Sequence, residues 1–289
     1  MGSEVTVVCG GGGVWGVAWM TGLIMGLADA GLDIRQASAF IGTSAGSVIS
    51  AQMSSGVSSE EWFQRQVDPS LQPHEPSPAA EQLLGMAQLM QQAWSSDRER
   101  LRALSELADK AETIPAAERR ANIVARYGLD TERWPEKSVR ITAVDMQTLE
   151  LTVFDRHSGV SIVDAIAASC AVPGVWPPAA IDGRRYIDGG VWRTAENAQL
   201  AEGATAVLIL SPLGRLADSM LKGGGGLAAD VERLQANGSR VAVIAADKLA
   251  LSAMLPNPLH AATRKPAAEA GRLQGAREID EALKIFAAV

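Results

Sequence analysis

The sequence predicts an α/β fold with a mostly parallel central sheet and a helical insertion, and three stretches carry that prediction. Glu4 to Cys9 is a short β-branched run that breaks into Gly10-Gly11-Gly12-Gly13-Val14-Trp15-Gly16, followed by a helical pattern from Val17 to about Ala30. A second apolar run, Ala37 to Ile41, leads into Gly42-Thr43-Ser44-Ala45-Gly46 and another helical pattern. Because a helix separates the two runs, their strands are expected to be parallel. From Ala79 to about Tyr127 the periodicity is helical, and apolar strands return only at Val139.

Each element has a local cause. Gly31 is a plausible C-cap for the first helix, and the elbow helix runs from about Ala45 to Met53. Ser58 to Glu61 forms a capping box that opens a helix to about Val67, and Pro69 to Pro78 is a proline-punctuated connection carrying His74. The insertion follows, with Pro115 opening its last helix and Gly128 ending it; it reads either as the wall of an acyl pocket or as a peripheral bundle. Val139 to Val144 and Leu149 to Phe154 alternate like paired strands, and Ser161 to Ala171 is a helix of small residues. Ala179 to Tyr186 reads as a hairpin around Asp182-Gly183, Ala206 to Ile209 and Arg240 to Ala245 as strands, and Pro266 to Phe286 as one closing helix.

Composition excludes several classes. With 289 residues, 47% of them hydrophobic, a sizeable core is available, and a single domain over residues 1–289 with the helical insertion at about 58–128 is expected. A net charge of −7 without a basic block argues against nucleic acid. Cys9 and Cys170 stand far apart, which is no disulfide framework and fits a reducing compartment. The N-terminus lacks a basic segment before its short apolar run, and no stretch has the length of a membrane span, so a cytoplasmic location is expected. Neither cysteine nor histidine has ligand spacing, so no metal or other cofactor is expected. Nothing specifies an oligomeric state.

Ser44, between Gly42 and Gly46, has the G-x-S-x-G form of a nucleophile elbow, in which strain on a sharp strand-to-helix turn holds the hydroxyl toward substrate. The same five residues also fit an ordinary turn. Upstream, Gly11, Gly13 and Gly16 match the dinucleotide fingerprint, which asks for an acidic residue at the end of the second strand; that strand ends in Gly42-Thr43-Ser44, and Asp33 precedes it. Consecutive glycines can equally aim backbone N–H groups at one point as an oxyanion hole, or make a turn with no ligand. A serine hydroxyl also needs a base. Of His74, His157 and His260, only His260 comes late enough for the Ser-Asp-His order of a triad esterase, whose fold places several strands before its elbow where this chain has one. Asp188 is the better candidate, because it follows an apolar strand, is trailed by Gly189 and Gly190, and can act as base directly if partial burial raises its pKa.

Taken together, Gly11-Gly12-Gly13-Val14-Trp15-Gly16, Gly42-Thr43-Ser44-Ala45-Gly46, Ala168-Ser169-Cys170-Ala171-Val172-Pro173 with Trp176-Pro177-Pro178, and Asp188-Gly189-Gly190 resemble the patatin-like phospholipase family in order and approximate spacing, from near residue 5 to residue 190. The resemblance implies a three-layer α/β/α sandwich and a lipid acyl hydrolase of the phospholipase A type, working through an acyl-enzyme. In it Ser44 is the nucleophile, Asp188 the general base, and the amides of Gly11, Gly12 and Gly13 the oxyanion hole. The implied partner is a lipid or other acyl ester, met in transient contact with a membrane surface. In one respect the chain departs from the family: Trp15 stands where the glycine loop usually carries arginine or lysine, which leaves two readings, a changed loop support or a silent lipid-binding scaffold. Trp15, Trp19, Trp176 and Trp192 fall in or beside the motif segments, either as an aromatic wall for lipid or as core. A dinucleotide-binding oxidoreductase is the remaining rival.

Overall fold

In the computed structural model residues 4–72, 78, 80–127, 133–214, 226–255 and 257–287 are described; His74, Gly128 and most of the connection before Pro78 lie outside them. The strands are β1 (Val5–Cys9), β2 (Ala39–Thr43), β3 (Ser138–Asp145), β4 (Glu150–Phe154), β5 (Ala179–Ile181), β6 (Arg184–Asp188), β7 (Ala206–Ser211) and β8 (Arg240–Ala245). They form one mixed sheet in the order β5-β6-β3-β2-β1-β7-β8, with β4 also paired to β3. The run β3-β2-β1-β7-β8 is parallel. β1, β2 and β7 are buried along their whole length, as near-continuous apolar runs covered on both faces must be.

Helices cover both faces, giving three layers. On one face lie α1 (Gly13–Asp29), α2 (Ala45–Met53), α7 (Ile162–Ser169) and α10 (Arg264–Arg277), packed on alternate strand residues such as Val7, Phe40 and Ile141. On the other, α4 (Ala80–Gln91) and α5 (Asp97–Lys110) cover Val144 and Ile187, while α8 (Gly226–Ala236) covers Val207 and Ile209. Ser58 caps α3 (Ser59–Val67) by accepting from the Glu61 amide, as the capping box requires. Asp182 and Gly183 both take positive φ, the geometry of a two-residue hairpin turn.

Two boundaries differ from expectation. α1 starts at Gly13, inside the glycine loop rather than at Val17, so the N-terminal end of its dipole lies in the loop. The closing helix is two, α10 and α11 (Ile279–Phe286), separated at Glu278, with neither glycine nor proline to signal the break. A short helix, α9 (Lys248–Ser252), precedes them.

The most extensive helix contact, α1 against α10, rests on two pairs of glycines spaced four apart. A Cβ on Gly22 or Gly26 would collide with the carbonyl of Ala268 or Arg272, and one on Gly271 or Gly275 with that of Trp19 or Leu23. The two backbones therefore touch in parallel, a distance only glycine permits. Gly26→Ala is expected to cost about 1–3 kcal/mol by overpacking, read from urea denaturation. Gly85→Ala on α4, where the nearest atom is a Leu107 methyl 3.9 Å away, is expected to be neutral or to stabilise by up to about 1 kcal/mol.

Candidate active site

The register of β3 explains why two residues 144 apart in sequence meet. On one edge of β3, Ser138 to Thr142 pair with β2, and Ala143 to Asp145 then pair antiparallel with β6, so β6 takes over where β2 stops; β4 occupies the opposite edge. Thr142 is opposite Thr43 and Ala143 is opposite Asp188. The strand end bearing Ser44 and the strand end bearing Asp188 thus abut on neighbouring residues of one strand.

Ser44 sits between β2 and α2 at φ 52, ψ −118, a conformation side chains rarely adopt. Its amide donates to Ser169 Oγ at 2.8 Å, and its carbonyl accepts from Ser47 Oγ at 2.6 Å, so its backbone is held from both sides. Gly46 is required by close approach, because a Cβ there would overlap the Cys9 carbonyl at the end of β1. Behind the elbow, Thr43 Oγ1 and Thr142 Oγ1 share a hydrogen bond of 2.8 Å, and Asn197 Nδ2 donates to Thr43 Oγ1 and to the Gly189 carbonyl, each at 3.1 Å. Asn197 therefore ties the Ser44 turn to the Asp188 turn. Ser169 stands in the Ala168-to-Pro173 motif without an expected role, and Asn197 was not expected; the only signal for Asn197 is a residue type that tolerates its left-handed φ of 52.

The Asp188 carboxylate accepts from the Ser44 side chain and, through Oδ1, from the Gly190 amide at 2.8 Å. Its own amide donates to the Ala171 carbonyl at 2.9 Å, which fastens the Ala168-to-Pro173 motif against it. Burial pushes the carboxyl up to about 6, partly offset by the hydrogen bonds from Ser44 and Gly190 and by the charge of Arg119. A carboxylate with a pKa just below neutrality is ionised at working pH yet basic enough to take a hydroxyl proton.

The glycine loop faces Ser44: a Cβ on Gly11 would lie 3.5 Å from Ser44 Cβ. Gly11 itself departs from expectation, because its amide already donates to the Ala195 carbonyl at 2.8 Å, in the loop that follows Asp188. Among the described residues none accepts from the amides of Gly12 or Gly13, which begin α1 with its dipole behind them. Gly13 takes φ 63, and a side chain there would strike Pro258 and Leu259.

Two chambers open on Ser44. The larger encloses about 760 Å³ including its mouth and is almost wholly apolar, with Leu83, Met86 and Met90 of α4 facing Val172, Val191 and Leu213. Within the insertion, α4 walls this chamber while α5 packs on the sheet. The smaller chamber is a narrow cleft of about 10 Å³, room for about one water, bounded by Gly13, Cys170, Val172, Trp176, Leu259 and Arg119 of α6 (Ala116–Tyr127).

The tryptophans of the motif segments are mainly core. Trp15 and Trp19 are fully buried and stacked at 6.4 Å, their indole N–H groups donating to the Ala250 carbonyl and to Gln274 Oε1, each at 3.0 Å. Trp15 therefore supports the glycine loop from α9 instead of presenting a charge. Trp176 backs the smaller chamber, and Trp192, half-buried, borders α4 and α5. The histidines are elsewhere: His157 is exposed, and His260 Nδ1 accepts from the Ala262 amide, so neither borders the two chambers. Asp33, the acid nearest in sequence to β2, is bonded to Arg35 ahead of the strand, at the end of the sheet away from the glycine loop. Both cysteines are buried; burial holds the Cys9 thiol up at about 12.

Among curated proteins none matches the chain. Among solved structures it is similar to VipD from Legionella pneumophila, 13% identical with a TM-score of 0.47 over 96% of this chain and 67% of that one. It is also similar to ExoU, in the ExoU-SpcU complex of the Pseudomonas aeruginosa type III secretion system, 14% identical with a TM-score of 0.44 over 98% of this chain and 52% of that one. The chain spans about half the length of ExoU. The sequence model of the patatin-like phospholipases matches residues 7–197, two thirds of the chain, including the glycine loop, Ser44 and Asp188, and the chain belongs to that family.

Proposed function

We propose that the chain hydrolyses acyl esters of lipids through a Ser44-Asp188 dyad. The observation that carries this reading is the hydrogen bond from a strained serine to a buried aspartate held near pH 6, at the floor of an apolar chamber. Ser44 Oγ attacks the ester carbonyl while Asp188 takes its proton, and the Gly12 and Gly13 amides stabilise the oxyanion. Collapse of the tetrahedral intermediate returns that proton to the leaving alkoxide. Water, deprotonated by the same aspartate, then releases the fatty acid. The apolar wall supplied by α4 supports an acyl chain in the large chamber, and the exposed Leu84 on the outer side of that helix supports contact with a lipid surface.

Ser44→Ala is expected to abolish covalent labelling by a fluorophosphonate and hydrolysis of p-nitrophenyl esters, with an unchanged circular dichroism spectrum; labelling of the variant at the wild-type rate would sink the assignment. Because Asp188 must be ionised to act, kcat/KM should fall by about tenfold per pH unit below about pH 6. His260→Ala should lose less than about threefold, against the roughly 100-fold or greater loss expected on removing a general base.

Stability should move the other way at Asp188. Its folded pKa lies above the ordinary value, so the native state is fully favoured when the group is protonated and loses stability as pH rises through about 6. Asp188→Asn should therefore raise stability at pH 8 by up to about 3 kcal/mol, a gain that vanishes below about pH 4; denaturant titrations at the two pH values measure it. Met86→Trp, by filling the large chamber, should lower kcat/KM for a palmitoyl ester relative to a butyryl ester by about tenfold or more.

A further inference from the structure

The turn that follows Asp188 is held at both ends by side chains from elsewhere in the chain. It is the 3-10 turn Gly189–Val191, and its second residue, Gly190, donates the amide that fixes Asp188 Oδ1. Asn197 holds its first carbonyl, that of Gly189. Its far end is held by Arg100 of α5, whose Nη1 donates to the Val191 carbonyl and whose Nη2 donates to the Trp192 carbonyl. Arg100 belongs to the buried stripe of α5 with Leu101, Leu104 and Ala108, so the helix carries a charge inward with 3% of its surface exposed. Asp97, one turn earlier on the same helix, accepts from Nη2 at 3.1 Å. A guanidinium suits this place because its donors lie fixed in one plane and meet two neighbouring acceptors at once.

Arg100 borders neither chamber, and the charge that acts on Asp188 is that of Arg119. What Arg100 reaches is backbone, the two carbonyls just beyond the Gly190 amide. We propose that Arg100 is a positioning residue for the general base, holding the turn after Asp188 so that the Gly190 amide meets the carboxylate and the carboxylate meets Ser44. This rests on the Ser44-Asp188 reading. The turn is weakly fixed by its own bonds: the one that closes it, from the Trp192 amide to the Gly189 carbonyl, is long at 3.3 Å, and Gly189 and Gly190 bring no side chains to pack. Val191 adds a second link, since it lines the large chamber while its carbonyl takes Arg100. The insertion therefore carries both the wall of the acyl chamber, through α4, and the clamp on the base, through α5.

Steady-state kinetics of the whole chain on p-nitrophenyl butyrate, an ester with a short acyl chain, test this. Arg100→Met keeps the stem and removes both bonds; it should lower kcat by about tenfold or more while KM stays within about twofold. It should also move the acid limb of the kcat/KM profile above pH 6, because Asp188 stays buried but loses the bond from Gly190 that lowers its pKa. Arg100→Lys should recover part of kcat, since an ammonium restores the charge and a donor to the carbonyls. Arg98→Met removes a charge from the same end of α5 whose side chain reaches the Thr148 carbonyl instead, and it should stay within about twofold of wild type. A Met variant with the wild-type kcat and an unmoved acid limb overturns the proposal. So does a loss confined to KM, which would make Arg100 a support of the chamber wall, and so does an acid limb moved below pH 6, the mark of water reaching Asp188. Should the Met variant fail to fold, the Lys variant decides: a lowered kcat with a raised acid limb supports the proposal, and wild-type values of both overturn it. Failure of wild type to react with a fluorophosphonate would instead reject the hydrolase reading.

Discussion

The left-handed backbone of Ser44 is the constraint on which the site depends. A non-glycine residue at φ 52, ψ −118 carries strain of about 1–3 kcal/mol, and it persists only because the surroundings leave no alternative. The amide is held by Ser169, the carbonyl by Ser47, and α2 starts so close to β1 that Gly46 lies directly on the Cys9 carbonyl. β1 and β2 are themselves buried central strands. The same clamp sets the neighbours: with the elbow fixed, the glycine loop at the end of β1 must face it, and the helix that leaves that loop must start at Gly13.

Asp188 adds a second unfavourable element, a charge that burial disfavours. Its setting shows how the fold offsets that cost. Two hydrogen bonds, from Ser44 and Gly190, reach the carboxylate, and Arg119 contributes its charge from across the smaller chamber. Asn197 contributes indirectly, since its one amide group holds both Thr43 and the Gly189 carbonyl, and so couples the two turns whose side chains must meet. The site is therefore a strained turn and a buried charge braced against each other, not one prepared residue awaiting partners.

How much of this could be read from sequence follows from the range of the interactions. The unit β1-loop-α1-β2-elbow-α2 was legible because each part is encoded within a few residues: β-branched runs, glycines at turns, apolar periodicity. Ser44 and Asp188 were legible as members of motifs. The reason they meet was not, because it lies in the takeover of β2 by β6 along β3, a register that no local pattern records. Ser169 stands in a motif, but its bond to the Ser44 amide is not written there, and Asn197 leaves no pattern of its own. Arg119 was hidden for a different reason: Glu118-Arg119-Arg120 reads as a solvated charge run, although Arg119 stands four residues before the buried Ile123, on the inward side of its helix. The Gly11 amide was assigned to the oxyanion hole when Ala195, far along the chain, already accepts from it.

Trp15 joins the motif region to the rest of the chain. The residues matched by the family end at 197, yet the partners of Trp15 and Trp19 lie at Ala250 and Gln274. Gln274 in turn donates to the Ala245 carbonyl at the end of β8 and accepts from the Asp247 amide. The glycine pairs of α1 and α10 close the same contact along the rest of the helix. A basic side chain at position 15 would have to bury its charge between α1 and α9 or turn back toward the site, and either would disturb this contact. An indole fills the space and satisfies its single donor. The residue that departs from the family pattern is thus the one that anchors the C-terminal helices to the glycine loop.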